Sequence, residues 1–168
     1  MRLRIVVAGL LAVGSLVASF LPVPAISQDS RLPLPRFVSL RAPEANMRSG
    51  PGEQYPIKWT YQRPGVPLEV IREFHHWRQI RDWQGAEGWM HSSMLSSKRS
   101  VMIVGGIRTL RDEPDLHGDA SARVEGPAIG KLLSCQKSAD WCRVEFAGVK
   151  GWLRRIDVWG VYNEEEVN

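Results

Sequence analysis

The sequence predicts an all-β chain of two small tandem barrels behind an N-terminal export segment. Three observations predict it. Apolar and polar residues alternate with period two between turn-forming Gly and Pro clusters. No stretch after residue 27 sustains the i, i+3, i+4, i+7 spacing of a buried helix face over three turns. A set of anchor residues also occurs twice, in the same order and with nearly the same spacing.

In chain order, Met1-Arg2-Leu3-Arg4 is a basic start, and Ile5 to Leu21 then carries no charge. Pro22 and Pro24 follow, and Ala25-Ile26-Ser27 places small residues before Gln28. This is the pattern of a secretory signal, and it predicts cleavage after Ser27 and a periplasmic or secreted product with no stable membrane span. Loss of residues 1–27 removes Arg2 and Arg4, so Lys+Arg falls from 22 to 20 against 18 Asp+Glu. The charges are interspersed and no basic block could track a phosphate backbone, which argues against nucleic acid as a partner. Residues 28–36, with Pro33 and Pro35, read as a linker.

The first repeat, residues 37–97, holds Met47-Arg48-Ser49-Gly50-Pro51, then Trp77-Arg78-Gln79-Ile80, then Gly88-Trp89. The second, residues 98–162, holds Leu110-Arg111-Asp112-Glu113-Pro114, then Trp141-Cys142-Arg143-Val144, then Gly151-Trp152. From Pro51 to Trp77 is 26 positions and from Pro114 to Trp141 is 27; the Trp pairs are 12 and 11 apart. The extra residue in the first copy falls between Trp77 and Trp83 and is expected as a β-bulge that re-aims Trp83, with Trp83 matching Phe146. Leu68 to Ile71 and Lys131 to Leu133 are expected as strands. Val101 to Val104 is expected as the opening strand of the second copy, aligned with Phe37 to Leu40. The short joint between copies predicts a packed pair. Residues 163–168, with Glu164-Glu165-Glu166, read as an acidic tail.

Asn46-Met47-Arg48-Ser49-Gly50-Pro51-Gly52, the Trp before an apolar strand, and Gly88-Trp89 resemble the bacterial SH3 domain. The second copy keeps Arg111 and Pro114 and the later Trp and Gly-Trp anchors, but its first loop lacks the Asn and the glycines. The closing Val158-Trp159-Gly160-Val161-Tyr162 is similar to the tail of exported tandem SH3-like proteins of alphaproteobacteria. The resemblance implies an SH3-like barrel of about five strands per copy. It also implies a non-catalytic binding or targeting role, with cell-wall peptides or other polypeptides as ligands.

Cys135 and Cys142 flank a predicted hairpin turn and face each other across it. In an exported chain such a pair is best read as a disulfide. No C-x-x-C and no second ligand pair support a redox or metal role. Ile71 and Arg78 stand at the corresponding places of the first copy, which is expected to lack the staple. No converging set of three or four ligands is evident, so no metal and no cofactor is expected. His75 and His76 read as exposed turn residues.

Trp77, Trp89, Trp141 and Trp152, with Pro51 and Pro114, recur in both copies and read as architecture. Residues present in one copy are better site candidates. Trp59, Tyr55 and Tyr61 have no aromatic counterparts near Ala122 to Val124, and such rings could grip a peptide or a sugar. The competing reading puts Trp59 in the core. Arg48 could engage a carboxylate, or it could hold the first long loop together, the latter favoured because Arg111 repeats it. The function read from the sequence is a non-enzymatic envelope module recognising peptidoglycan or an extended peptide. The alternative is a scaffold subunit that binds an envelope protein and has no glycan affinity.

Overall fold

The computed structural model describes residues 32–168. The expected export segment and the first part of the linker lie outside the described residues. No helix among the described residues is long and apolar enough to cross a membrane.

The chain is all-β. Seven strands build the first module: β1 (Arg36–Leu40), β2 (Ala45–Arg48), β3 (Ile57–Tyr61), β4 (Pro67–Phe74), β5 (Trp77–Arg81), β6 (Glu87–His91) and β7 (Leu95–Ser96). Seven more build the second: β8 (Ser100–Ile103), β9 (Ile107–Arg111), β10 (Ala120–Glu125), β11 (Ile129–Cys135), β12 (Trp141–Phe146), β13 (Val149–Arg154) and β14 (Val158–Trp159). The first sheet runs β3-β2-β6-β5-β4-β1-β7 and the second β10-β9-β13-β12-β11-β8-β14. The second order is the first with seven added to each label, so the sequence repeat is a repeat of topology. All pairings are antiparallel. Each module ends on a 3-10 turn, Ser92–Met94 or Arg155–Asp157, that carries the chain to its last short strand.

Alternating strand residues point inward and bury two aliphatic cores. Leu40, Met47, Leu68, Val70, Ile80 and Met90 centre the first; Val101, Ile103, Leu110, Cys142, Val144 and Leu153 centre the second. No tryptophan is among the buried residues of these cores, although Trp83 packs against the first from its edge. Gly88 and Gly151 explain why each Gly-Trp anchor needs its glycine. A Cβ at Gly88 would lie 2.5 Å from Met47 Cγ and 2.7 Å from the Arg48 carbonyl; one at Gly151 would lie 2.6 Å from the Arg111 carbonyl. Strands β6 and β13 cross β2 and β9 at that point, with Arg48 opposite Trp89 and Arg111 opposite Trp152.

The registers correct three expectations. Strand β8 aligns with β1 one residue earlier, Ser100 to Ile103 against Phe37 to Leu40. Val104 leaves the strand and its N–H bonds the Asp157 carbonyl. The β5–β6 ladder runs without a bulge from Trp77 opposite His91 to Arg81 opposite Glu87. The extra residue instead lengthens the turn, because Asp82 bonds Ala86 across a three-residue loop while β12 turns tightly at Ala147-Gly148. Asp82 therefore occupies the ladder position of Phe146, and Trp83 is the first residue of the loop, packed against the edge of the first core. Bulges do occur, at matching places in β4 and β11, between Val70 and Arg72 and between Leu132 and Ser134.

The third correction concerns the staple. Cys135 and Cys142 are bonded, with Cα atoms 4.4 Å apart, and face each other in the β11–β12 ladder. The same ladder position in β4–β5 holds Glu73 and Arg78, not Ile71. The β4–β5 turn has two residues, His75 and His76, where the β11–β12 turn has four, so counting seven back from Arg78 overshoots. Arg78 Nε reaches Glu73 Oε1 at 3.1 Å, and Arg36 bonds the same oxygen. The Glu73 side chain is 3% exposed. The first module is thus cross-linked by charge where the second is cross-linked by sulfur.

The modules pack on one another. Phe37 meets Trp159 edge-on at 5.1 Å and Tyr162 at 4.6 Å between ring centres. Tyr162 Oη donates to Glu69 Oε1 at 2.8 Å, Arg63 Nη1 donates to the Pro127 carbonyl at 2.9 Å, and Ile129 packs against the first core. The last residues dock as well. Val167 exchanges two backbone hydrogen bonds with Cys135, 2.7 and 2.9 Å long. Arg155, 5% exposed, bonds the carbonyls of Gln136, Ala139, Tyr162 and Glu165.

Candidate functional site

Strand β3 is an edge of the first sheet, paired only with β2. Trp59 lies opposite Met47 and Tyr61 opposite Ala45, so all four share the core face of the pair. Tyr61 reaches the core and is 4% exposed. Trp59, two residues back along the edge, extends past the core and is 57% exposed. The reading of Trp59 as a core residue is corrected by this edge position. Its ring is one wall of a groove of about 180 Å³ at the seam of the modules. Trp83, Gln62 and Arg63 continue the wall, and Met102, Pro127 and Ile129 supply the second module's side.

Local structure holds these walls. Tyr61 Oη donates to Asp82 Oδ2 at 2.9 Å. Asp82 also accepts the N–H groups of Gln84 and Ala86 at 2.9 Å each, which fixes the loop that carries Trp83. Burial, and then the charge of Asp82, hold the Tyr61 phenol well above its usual range, so it stays a donor. The Arg63 bond to Pro127 closes the seam under the groove.

The other proposed contacts lie elsewhere. Arg48 Nη1 bonds the Glu53 and Tyr55 carbonyls at 3.0 and 2.8 Å, and Arg111 Nη1 bonds the Gly118 carbonyl at 2.5 Å. Both arginines tie the first long loop of their module. Tyr55 is 39% exposed and its ring covers Gly50, where a Cβ would approach it to 2.4 Å. Arg48 and Tyr55 therefore belong to one loop, and Trp59 and Tyr61 to the groove. Trp83 was missed as a site residue because it was matched to Phe146. The extra residue was the signal: the longer turn begins with an aromatic residue.

Trp77, Trp89, Trp141 and Trp152 are half-buried on strands. Trp77 packs edge-on against His91 at 5.5 Å, and His76 and His91 lie 5.9 Å apart. Pro51 and Pro114 both sit in the first long loops. Among the described residues, no group of three or more His, Cys, Asp or Glu is placed to hold a metal ion. Both cysteines are in the disulfide.

A family model described as "Bacterial SH3 domain" matches residues 41–97 and 105–160. A curated protein of Bacillus subtilis (strain 168), "Putative N-acetylmuramoyl-L-alanine amidase YrvJ", is 26% identical over 119 residues, covering 66% of this chain and 23% of that protein. The chain thus spans about a quarter of that relative's length. Among solved structures, NlpC1 from Trichomonas vaginalis aligns at TM-score 0.35 and 10% identity, covering 84% of this chain and 51% of that one. An NlpC/P60 family protein from Bacillus cereus ATCC 10987 aligns at TM-score 0.33 and 14% identity, covering 73% and 55%.

Proposed function

The chain belongs to the bacterial SH3 domain family, matched in both modules, and from that premise we propose a non-catalytic binding protein of the bacterial envelope that holds peptidoglycan by its peptides. An extended peptide lies in the seam groove, with Trp59 and Trp83 as its aromatic walls. The observation that carries this reading is Trp59. A large ring that is 57% exposed, on a groove edge, with no aromatic at the equivalent Ala122, is a contact surface and not a packing residue. A rigid ring offers much contact area at little entropic cost. The bonds from Tyr61 to Asp82 and from Arg63 to Pro127 fix the walls before a ligand arrives, which lowers the cost of binding.

The cell-wall setting is supported by the partial match to YrvJ, named as an N-acetylmuramoyl-L-alanine amidase. A cysteine-nucleophile activity is opposed by Cys135 and Cys142, which are joined to each other and so offer no thiolate. The experiment is co-sedimentation with purified insoluble peptidoglycan at high salt. Retention of the wild type and loss of retention in Trp59→Ala are expected. A wild type that stays in the supernatant, while binding an envelope protein, establishes the scaffold role instead.

A further inference from the structure

The modules meet along a second cleft that shares no lining residue with the aromatic groove. Its volume is about 530 Å³, within the range of ligand sites. Leu40, Leu132 and Leu133 make an apolar floor. The rim carries Arg41, Lys98, Arg99 and Lys131, and no acidic side chain lines the cleft. Three of these cations are engaged nearby. Arg99 pairs with Glu165, Lys131 with Glu145 at 2.8 Å, and Arg41 bonds the Ser93 carbonyl. Lys98 is exposed and makes no ion pair among the described residues.

Ser100, also lining the cleft, is 8% exposed, and its hydroxyl has no hydrogen-bond partner. A buried unpaired hydroxyl is costly, and most are satisfied in native proteins. The unmet group, the apolar floor and the one-signed rim define what would fit. The guest must offer a polar group to Ser100 Oγ, small apolar side chains to the leucines and negative charge to Lys98 and Lys131.

We propose that this cleft is a second binding site, for a short extended peptide bearing carboxylates. The carboxylates lie at the Lys98 and Lys131 mouth, and a peptide group bonds Ser100. A polymer of phosphates is disfavoured because its charges would have to shed water over the leucine floor. The site is independent of the aromatic groove.

The test is an NMR titration of the intact protein with Ac-Ala-Glu-Ala-Ala bearing free carboxylates, beside its neutral counterpart Ac-Ala-Gln-Ala-Ala-amide. The acidic peptide is expected to bind at least about tenfold more tightly, with the preference shrinking as salt rises. Lys98→Glu is expected to weaken it about tenfold. Ser100→Ala is expected to weaken it severalfold at unchanged or raised thermal stability, because the hydroxyl bonds nothing in the free protein. Trp59→Ala should leave this peptide's affinity unchanged and lose only peptidoglycan retention, so the two sites fail separately. Equal affinity for the two peptides overturns the proposal, as does indifference to Lys98→Glu. Displacement of the peptide by inorganic polyphosphate at lower concentration overturns the choice of a peptide.

Discussion

The two modules share one topology and solve the same packing problems with different chemistry. Beside the turn of the β4–β5 hairpin, Glu73 and Arg78 face each other and Arg36 closes on the same carboxylate; beside the turn of β11–β12, a disulfide takes that place. At the opposite end, beside the β5–β6 and β12–β13 turns, Asp82 fills the position of Phe146, and Leu68 fills that of Gly130. These two differences belong together. A Cβ at Gly130 would lie 2.7 Å from Phe146 Cζ, so the large ring of one module needs the bare backbone beside it. The first module keeps a leucine there and turns with a hydrogen-bonded aspartate. The ladder specifies a position and a burial, and several residue pairs can meet that specification.

The largest effect expected from breaking this comparison comes at Glu73. Glu73→Gln leaves the Arg36 and Arg78 guanidinium groups without their carboxylate in a mostly buried place, and should cost about 3 kcal/mol. Chemical denaturation of the variant measures it, and an unchanged midpoint removes the claim that charge replaces sulfur. A sharper version is Glu73→Cys with Arg78→Cys. The shared register predicts that these cysteines bond in air, as counted by free thiols after non-reducing denaturation.

Reduction of Cys135–Cys142 should cost slightly less. Closing a loop of about 8 residues contributes about 2.5 kcal/mol by chain entropy. The packed seam predicts one cooperative thermal transition before reduction; two transitions in the oxidised protein contradict it. Gly130→Ala should cost about 1–3 kcal/mol by overpacking against Phe146, whereas a smaller side chain there, Phe146→Leu, should recover part of that loss in the double variant.

A smaller effect follows from alkali. Tyr61 and Tyr162 are both held above the usual value of 10.0, first by burial and then by Asp82 and Glu69 respectively. The folded state prefers the protonated phenols. Their contribution is complete below pH 10 and falls as pH rises beyond it. Thermal unfolding followed from pH 8 to 11 should show a flat region and then a decline, steeper in the wild type than in Tyr162→Phe. The smallest effect is Trp59→Ala, within about 0.5 kcal/mol, because an exposed edge residue contributes little to stability. A large loss there would return Trp59 to the core.

The repeat was legible in the sequence because its anchors answer to backbone geometry. A strand crossing that leaves no room for Cβ forces glycine at Gly88 and Gly151, and this requirement survives divergence around it. The disulfide was legible because its partners lie seven residues apart around one turn. Its ionic counterpart was not. The turns at His75-His76 and at Lys137 to Asp140 differ in length, so equal sequence spacing pointed to Ile71 while the ladder held Glu73. Trp59 was found by its lack of a repeat partner, but its exposure depends on β3 being an edge, which is a property of strand order. The cationic cleft was invisible for a similar reason: Arg41, Lys98 and Lys131 come together only when the modules pack.

The bridge from Val167 to Cys135 has one more consequence. Strand β8 covers β11 only as far as Ser100 opposite Lys131, with the Leu132 N–H held by the Arg99 carbonyl. Beyond that point Cys135 would offer a bare N–H and C=O to any passing chain, an invitation to edge-to-edge growth. Val167 takes both groups. The last residues therefore shield the open length of β11 from pairing with another chain.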